Sequence, residues 1–460
     1  MARVLVVYHR PLLGDWRSTY DSHVNSFRRF SAHDCFYLNT DRHAIPTYLT
    51  SLDPDLVIFH YTFLARRLYA EEFSKLLQRL AFMREWRCPK AIVPHDEQAH
   101  SDLLCQLVRD FGVTHVFSPA PSSEWARIYE GVDFDSVTFR TVLTGYIDES
   151  IVRETAARAQ RLHDRPVDVG YRSWDTPPFY GRHGRLKGEI GRAVKERASA
   201  FDLVADISSR YEDAFLGDSW LDFLLKCKYT IGVEGGSSVF DRDGTIAQRT
   251  FEYLKTHDAP SFEEVESACF PGMDGQFRYS LLGPRHFEAI MTKTCQVLVE
   301  GDYGGALEAG THYIELKRDF SNLDGVLRLM KEDSLRAGIV ERAYEDIVVS
   351  GRYSYRAFAN LVLRDALGSV PVPQRAGVSR HPSLLLTWSR VDEWLSTRLL
   401  LSWNRVDERL SMLDRDSARE RMLVIRNSIR ATFRPALSRL LGEERLKRLL
   451  ARIRRLPAES

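Results

Sequence analysis

The run Val4-Leu5-Val6-Val7-Tyr8 decides the fold class, because similar short apolar runs return at residues 56–60, 91–94 and 113–118. The β-branched content of these runs is typical of buried strands. The stretches between them have the apolar spacing of helices. Strands that alternate with helices of this length form right-handed βαβ units on a parallel sheet. Residues 1–150 are therefore predicted to form one doubly wound α/β domain.

The same alternation starts again after a charged helical connector that ends near residue 164. Its predicted strands lie at residues 167–171, 202–207, 229–233, 296–300 and 313–316. Residues 166–365 are predicted to form a second doubly wound domain that faces the first across a cleft. Within it, residues 240–280 are too long for a plain connection, so we expect an insertion that is functional or locally folded.

A helical tail is predicted at residues 381–460, beyond a linker rich in Pro and Val. The segment 384–396 recurs as 399–411, an offset of fifteen residues that is close to four helical turns. Residues 371–460 also hold 19 basic against 10 acidic residues. Basic amphipathic helices bind anionic membrane surfaces or pack against other helices. Residues 384–456 are therefore expected to mediate peripheral membrane binding or self-association.

Composition and charge exclude several classes of protein. A chain of 460 residues with 44% hydrophobic and 28% charged residues is typical of two or three soluble globular domains. The longest stretch without Asp, Glu, Lys or Arg is thirteen residues, at 111–123, which is too short to span a membrane. No secretory signal is recognisable and the six cysteines are scattered, so we expect a cytoplasmic protein without disulfides or structural zinc. The slightly acidic body argues against nucleic acid as a partner.

Residues that follow the predicted strands are the candidates for chemistry, because ligands of open parallel sheets bind beyond the carboxyl ends of the strands. In the first domain these residues are His9, His60, His95 and Asp96. Asp96, His95 and His60 are the candidates for a catalytic base. Each of the last two histidines, taken alone, is as consistent with a buried side chain that pairs with the backbone as with catalysis.

The corresponding positions of the second domain favour an anionic ligand. Arg172 ends the first predicted strand and Lys187 opens the next predicted helix, and both side chains suit phosphate. A solvated basic loop is the alternative. The strand at 229–233 runs into Glu234-Gly235-Gly236-Ser237, whose main-chain amides can approach a phosphate, although a tight turn explains the glycines as well. Neither a P-loop nor a dinucleotide-binding glycine motif is present in the sequence.

A predicted helix after Gly283-Pro284 carries Arg285, His286 and Glu288 in its first turn, and we expect all three at the cleft. An acidic residue there is also explained by the helix dipole alone. The pair Asp241-Arg242-Asp243 has the spacing of a metal-binding motif, but its position in the insertion favours a turn. No metal site is therefore expected.

Taken together, these motifs resemble glycosyltransferases of the GT-B fold. The helix at His286-Phe287-Glu288-Ala289 and the segment 312–322 are similar to bacterial glycosyltransferase family 1/4 members and to the spore-maturation-protein-like glycosyltransferases. The Pro-His-Asp-Glu motif at residues 94–97 is similar to the acceptor-side loop of those proteins. The likeness covers about residues 1–365 and does not extend to the tail.

The resemblance implies an enzyme of polysaccharide biosynthesis. It would move a sugar from a nucleotide-sugar donor to a glycan, lipid-linked or other cell-envelope acceptor, without a cofactor or metal. By resemblance, Glu288 holds the ribose hydroxyls while Arg172 and Lys187 neutralise the diphosphate. The family has a first glutamate eight positions earlier, where this chain has Ser280. Glu234 follows the appropriate strand, with residues 240–280 as an insertion between the two halves of the motif. The remaining predicted donor-binding residues are Gly235, Gly236, Ser237, Arg285 and His286.

Two other functions stay open on the sequence. A nucleotide-sugar 2-epimerase shares this fold and needs no acceptor. A non-catalytic nucleotide-sugar-binding scaffold, assembled through the helical tail, is favoured slightly by the missing first glutamate. The basic tail argues against the epimerase, because it suggests an acceptor at a membrane.

Overall fold

The computed structural model describes residues 1–11, 18–41, 45–50, 52–159, 165–215 and 218–368. These residues belong to one compact unit. The predicted tail, its repeated motif and the linker before it lie outside the described residues, as does most of the loop that follows residue 11. No helix within the described ranges is long and apolar enough to cross a membrane.

The first domain is built on a sheet of six parallel strands. They are β1 (Arg3–Tyr8), β2 (Asp34–Asn39), β3 (Leu56–His60), β4 (Lys90–Val93), β5 (His115–Ser118) and β6 (Thr138–Thr141), in the spatial order β2-β1-β3-β4-β5-β6. The accompanying helices are α1 (Ser18–Arg29), α2 (Thr47–Thr50), α3 (Tyr61–Leu64), α4 (Ala70–Arg79), α5 (Ser101–Phe111), α6 (Trp125–Ile128) and α7 (Glu149–Arg158). All five residues of β3 are buried, as expected for a parallel strand covered on both faces.

The second domain has a sheet of five parallel strands and a separate antiparallel pair. Its strands are β7 (Val167–Arg172), β8 (Ala205–Ser208), β9 (Cys227–Gly232), β10 (Gly235–Ser237), β11 (Tyr279–Leu281), β12 (Cys295–Val299) and β13 (Ile314–Leu316). The parallel order is β13-β12-β9-β7-β8, and β10 pairs with β11. The helices are α8 (Gly181–Ala198), α9 (Asp218–Leu225), α10 (Thr245–Thr256), α11 (Phe262–Cys269), α12 (Pro284–Met291), α13 (Leu323–Leu329), α14 (Asp333–Ala343) and α15 (Tyr355–Leu367). The two sheets confirm the predicted fold class of two doubly wound α/β domains.

The last described helix does not stay with the second domain. Its apolar residues, among them Tyr355, Phe358 and Val362, belong to the same buried cluster as Val4 and Val6 of β1. Helix α15 therefore packs in the core of the first domain, whereas the sequence placed everything up to residue 365 in the second. The return of the chain depends on packing partners more than 300 residues away, which no local pattern encodes.

The insertion at residues 240–280 is locally folded. Helices α10 and α11 share a small apolar cluster in which Ile246, Phe262, Val265 and Phe270 are buried. The insertion also contacts the first domain, since the amide of Asp241 donates to the carbonyl of Gln98 at 2.8 Å. It lies between β10 and β11, whose pairing closes its two ends.

Candidate functional site

Each domain has a topological switch point, where the order of the parallel strands reverses. In the first sheet it lies between β1 and β3, and in the second between β7 and β9. Ligands of doubly wound domains bind beyond the carboxyl ends of the strands at such points. His60 ends β3, Arg172 ends β7 and Glu234 follows β9, so the sequence located this edge in both domains.

Lys187 supplies an unpaired positive charge at this edge of the second domain. The sequence predicted that Lys187 opens its helix. Helix α8 begins earlier, at Gly181, so Lys187 lies in its second turn. The side chain is half-buried, and among the described residues its ammonium makes no hydrogen bond or ion pair. Burial and the neighbouring Arg285 lower the pKa of Lys187 to about 8, against the opposing effect of Asp96. A desolvated cation without a partner is suited to bind an anion.

Arg285 adds a second cation beside Lys187. The residue is exposed at the start of α12, and its Nη1 donates to the carbonyl oxygen of Arg172 at 2.8 Å. Its guanidinium lies 5.3 Å from the ring centre of Trp220. The contact with the Arg172 carbonyl uses one N–H group, so the remaining donors of the guanidinium can contact a ligand.

Asp96 faces Lys187 from the first domain. It lies in the loop after β4, its side chain is exposed, and within the described residues its carboxylate makes no hydrogen bond or ion pair. Its charge raises the pKa of Lys187 and, after burial, is the further cause that raises the pKa of Tyr180 to about 12. The structure thus brings together Asp96, Lys187 and Arg285, three residues that the sequence placed in a shared cleft.

His60 is buried and paired. Its Nδ1 lies 3.0 Å from the Thr62 hydroxyl and accepts from the Thr62 amide at the start of α3, while its Nε2 lies 2.9 Å from Nδ1 of His23. Burial lowers the pKa of His60 well below its usual value, and His23 and His95 lower it further. The alternative considered on the sequence, a buried histidine that pairs with the backbone, describes this residue.

His95 stacks on the ring of Tyr61, with 3.8 Å between ring centres and 7° between planes. Its Nε2 is buried without a described hydrogen-bond partner, and burial lowers its pKa well below the usual value. His95 is therefore a neutral ring beside Asp96. His23, which the sequence did not single out, completes this group of three histidines and has its pKa lowered by burial to about 3.

Arg172 does not offer its charge to the cleft. Its guanidinium donates to the carbonyl oxygens of Tyr171, Asp206 and Asp213 at 3.0, 2.8 and 3.1 Å, and to the Asp206 carboxylate at 2.7 Å. It also lies 4.5 Å from the ring centre of Phe223. The predicted diphosphate contact is therefore replaced by contacts that fasten the end of β7, and only the carbonyl oxygen of Arg172 reaches toward the site, through Arg285.

The predicted glycine loop is a strand. Gly235 and Gly236 form β10 and pair with β11, and a Cβ at Gly236 would lie 1.7 Å from the carbonyl oxygen of Tyr279. Together with a φ of 119°, this close approach explains why glycine stands there. The Ser237 hydroxyl is buried and donates to the carbonyl of Val239 at 2.7 Å. These residues organise the insertion rather than forming a phosphate loop.

Glu234 and His286 also act within the second domain. The Glu234 carboxylate accepts from the Tyr303 amide at 2.8 Å and so fixes the loop after β12, while burial raises its pKa. His286 is buried between Gln296 Oε1 at 2.8 Å and the carbonyl oxygen of Val233 at 3.3 Å. Burial lowers the pKa of His286 to about 4. Both residues were predicted to bind the donor. Instead, each holds a neighbouring strand end in place.

Glu288 accepts a hydrogen bond from the indole Nε1 of Trp220 at 2.7 Å. It is the fifth residue of α12, one turn beyond the predicted first turn. Because Trp220 also contacts Arg285, Glu288 belongs to the same surface as the two cations. Trp220, in α9, was not among the residues that the sequence singled out.

The pair Asp241 and Asp243 caps α10. Asp241 accepts from the amides of Ile246 and Ala247 at 3.0 and 2.8 Å, and Asp243 accepts from the Thr245 amide at 3.1 Å. Capping uses the carboxylate oxygens that a metal would need. Within the described residues no group of three or more His, Cys, Asp or Glu side chains is arranged to hold a metal ion.

Comparisons with known proteins find similar solved structures at low sequence identity. No family model and no curated protein matches the chain. It is similar to an alpha-glucosyltransferase in complex with UDP and a 13-mer DNA containing a HMU base, at 11% identity and a TM-score of 0.44 over 80% of this chain and 99% of that one. It is also similar to Anabaena Alr3699/HepE in complex with UDP and glucose, at 12% identity and a TM-score of 0.42 over 80% and 99%.

A third similar structure is TarM, at 14% identity and a TM-score of 0.41 over 70% of this chain. The chain spans 57% of the length of TarM. At identities of 11–14% and TM-scores below 0.5, these similarities carry no inference about the substrate of this chain.

Proposed function

We propose that the protein transfers a sugar from a nucleoside-diphosphate sugar to an acceptor hydroxyl. The observation that carries this proposal is the pair of cations Lys187 and Arg285, which is faced across the cleft by the exposed carboxylate of Asp96. Such a site can bind a diphosphate on one side and an acceptor hydroxyl on the other.

The two cations suit the departure of a nucleoside diphosphate. As the bond from the sugar to the diphosphate breaks, negative charge grows on the leaving oxygen, and fixed positive groups stabilise that charge most where water is excluded. Lys187 is half-buried and becomes fully protonated when an anion approaches. In this proposal, Lys187 and Arg285 take the place of a metal ion, so transfer proceeds without one.

The nucleoside would lie beside Glu288 and Trp220. Glu288 can accept hydrogen bonds from the two ribose hydroxyls, and its contact with the indole of Trp220 fixes the orientation of the carboxylate. Arg285, in contact with the same indole ring, would then reach the diphosphate next to the ribose. This assignment keeps Lys187, Arg285 and Glu288 from the predicted donor site and leaves Arg172 and Ser237 as supporting residues.

Asp96 is the proposed base that removes the proton of the acceptor hydroxyl. Its carboxylate is exposed and, among the described residues, makes no hydrogen bond, whereas His60 is committed to Thr62 and His23. The acceptor would bind against the first domain, and we propose a glycan, lipid-linked or other cell-envelope acceptor. The basic tail supports a membrane-borne acceptor, because its charge suits an anionic lipid surface.

Incubation of the full chain with a panel of nucleotide-sugars and with membrane-derived or oligosaccharide acceptors tests this proposal. Transfer should release a nucleoside diphosphate and glycosylate the acceptor, and both products should be lost in Lys187→Met but retained in Lys195→Met, an exposed position of the same helix. Epimerised donor without transfer would establish the epimerase instead. Binding of nucleotide-sugars with no product would establish the scaffold.

A further inference from the structure

The loop that carries Asp96 is held in an unfavourable backbone conformation. Asp96 has a φ of 54° and His100 a φ of 49°, both in the left-handed region that side chains other than glycine rarely adopt. Residues persist in this region when their surroundings fix them there, and such residues are concentrated at functional sites. The contacts that fix Asp96 are therefore informative about the site.

Arg67 holds this loop through hydrogen bonds to its carbonyl groups. It is completely buried in the short 3₁₀ turn that follows α3, at Ala65–Leu68. Its Nη2 donates to the carbonyl oxygens of both His95 and Asp96, and its Nε donates to that of Ala99 at 3.2 Å. One guanidinium thus binds three carbonyl groups of a five-residue stretch. Because a planar, rigid fork of donors fixes the acceptors relative to one another, Arg67 sets the path of the backbone through Asp96.

Glu97 anchors the same loop from the next residue. Its carboxylate is completely buried and accepts from the Ser118 hydroxyl, at 2.9 Å to each oxygen, and from the Tyr129 hydroxyl. Its amide donates to the Tyr279 hydroxyl at 3.1 Å. The side chain of Glu97 therefore points into the first domain, whereas that of Asp96 is exposed and its charge acts on Lys187 and Tyr180.

We propose that Arg67 and Glu97 are positioning residues that hold Asp96 in its left-handed conformation and thereby aim its carboxylate across the cleft at Lys187. The role of Asp96 as a base rests on the proposed function. The position of its carboxylate near Lys187, however, is a property of the ligand-free protein and can be measured without a substrate. If the contacts of Arg67 or of Glu97 are lost, Asp96 should relax to an ordinary backbone conformation, and its carboxylate should move away from Lys187.

The ionisation of Lys187 in the absence of any nucleotide reports this placement. Two charged groups affect it, Arg285 and Asp96, and of these only Asp96 raises the pKa. Reductive methylation with ¹³C-formaldehyde labels the lysines of the full chain, and the signal missing from Lys187→Arg identifies residue 187 in the NMR spectrum. Asp96→Asn should lower the titration midpoint by about 1 pH unit, the effect of one charge across a partly solvated cleft.

Arg67→Lys keeps the charge of Arg67 and loses the fork, so it should lower the midpoint of Lys187 as Asp96→Asn does. The double variant should show no further shift, because both changes remove the same interaction. Arg165→Lys is the matched control, since Arg165 is also buried and binds the carbonyl oxygens of Leu224, Cys227 and Thr292, none of which belongs to this loop. It should leave the midpoint unchanged.

A wild-type midpoint in folded Arg67→Lys would overturn the proposal, as would an equal shift in Arg165→Lys or no shift in Asp96→Asn. If Arg67→Lys does not fold, Ser118→Ala carries the test, because it removes the Ser118 hydroxyl from both carboxylate oxygens of Glu97, leaves the Tyr129 contact and removes no charge. An unchanged midpoint in that variant would then overturn the role of Glu97 and with it the proposal. The titration uses no nucleotide. A failure to transfer sugar would therefore refute the proposed function without affecting the interpretation of the Lys187 midpoint.

Discussion

Replacing Lys187 with methionine should weaken nucleotide binding and stabilise the ligand-free protein at the same time. Burial lowers the pKa of Lys187 from 10.5 to about 8, so the folded protein pays for keeping this ammonium charged at pH 7. A shift of this size corresponds to about 3 kcal/mol, present in full below pH 8 and lost as the pH rises from 8 to 10.5. Methionine has a similar length and no charge, so Lys187→Met should raise the free energy of unfolding by up to that amount at pH 7.

The affinity for a nucleoside diphosphate should move in the opposite direction. A charge-assisted hydrogen bond contributes about 1.5–3 kcal/mol, so the variant should bind roughly ten to a hundred times more weakly at pH 7. In the wild type, affinity should also fall between pH 7 and 9 as Lys187 loses its proton, whereas the affinity of the variant should not change over that range.

Titration calorimetry with UDP, GDP and ADP at both pH values, combined with urea unfolding, measures the two effects. Lys195→Met, on the exposed face of the same helix, should change neither. If Lys187→Met is less stable than the wild type and binds nucleotide equally well, Lys187 is a structural residue and does not bind the diphosphate.

Three further predictions concern other parts of the chain. Asp96→Asn should lower the rate of transfer by about a hundredfold with little change in nucleotide affinity, as steady-state kinetics and calorimetry would measure; wild-type turnover would exclude Asp96 as the base. Gly236→Ala should destabilise the protein by about 3 kcal/mol or more in urea unfolding, because of its φ of 119° and the Tyr279 carbonyl 1.7 Å from the added Cβ, whereas Gly325→Ala, which meets no atom within 4 Å, should not be destabilising. A chain truncated after Gly368 should lose salt-sensitive sedimentation with anionic liposomes, and equal sedimentation of the full and truncated chains would remove the membrane role of the tail.

The sequence was sufficient to predict two parallel sheets and the edge at which the proposed site lies, but it missed β2 and β6 of the first sheet. Alternating apolar runs and helical stretches specify parallel strands locally, and the residues after each strand follow from the same pattern. Asp96 and Lys187 could be found in this way because what brings them together is the topology of the sheets. Their proximity can therefore be predicted without knowing the partners of individual side chains.

Other assignments failed where a distant partner decides what a side chain does. Arg172 is engaged by Asp206 on the neighbouring strand, and His286 by Gln296 on another, so their charge and donors are used before a ligand arrives. Arg67 was missed because the pair Arg66-Arg67 near the end of an apolar segment gives no local sign that four carbonyl groups surround the second guanidinium. Glu97 did carry a sign, since it belongs to the Pro-His-Asp-Glu motif, but the sequence does not show which of the two acids is buried.

A crystal structure of the full chain with a bound nucleoside diphosphate would locate the donor site. We expect the diphosphate oxygens to lie within hydrogen-bond distance of Lys187 Nζ and the Arg285 guanidinium, with the ribose hydroxyls at Glu288. A nucleotide bound elsewhere, or a diphosphate held by Arg172 with Lys187 left unpaired, would contradict this expectation.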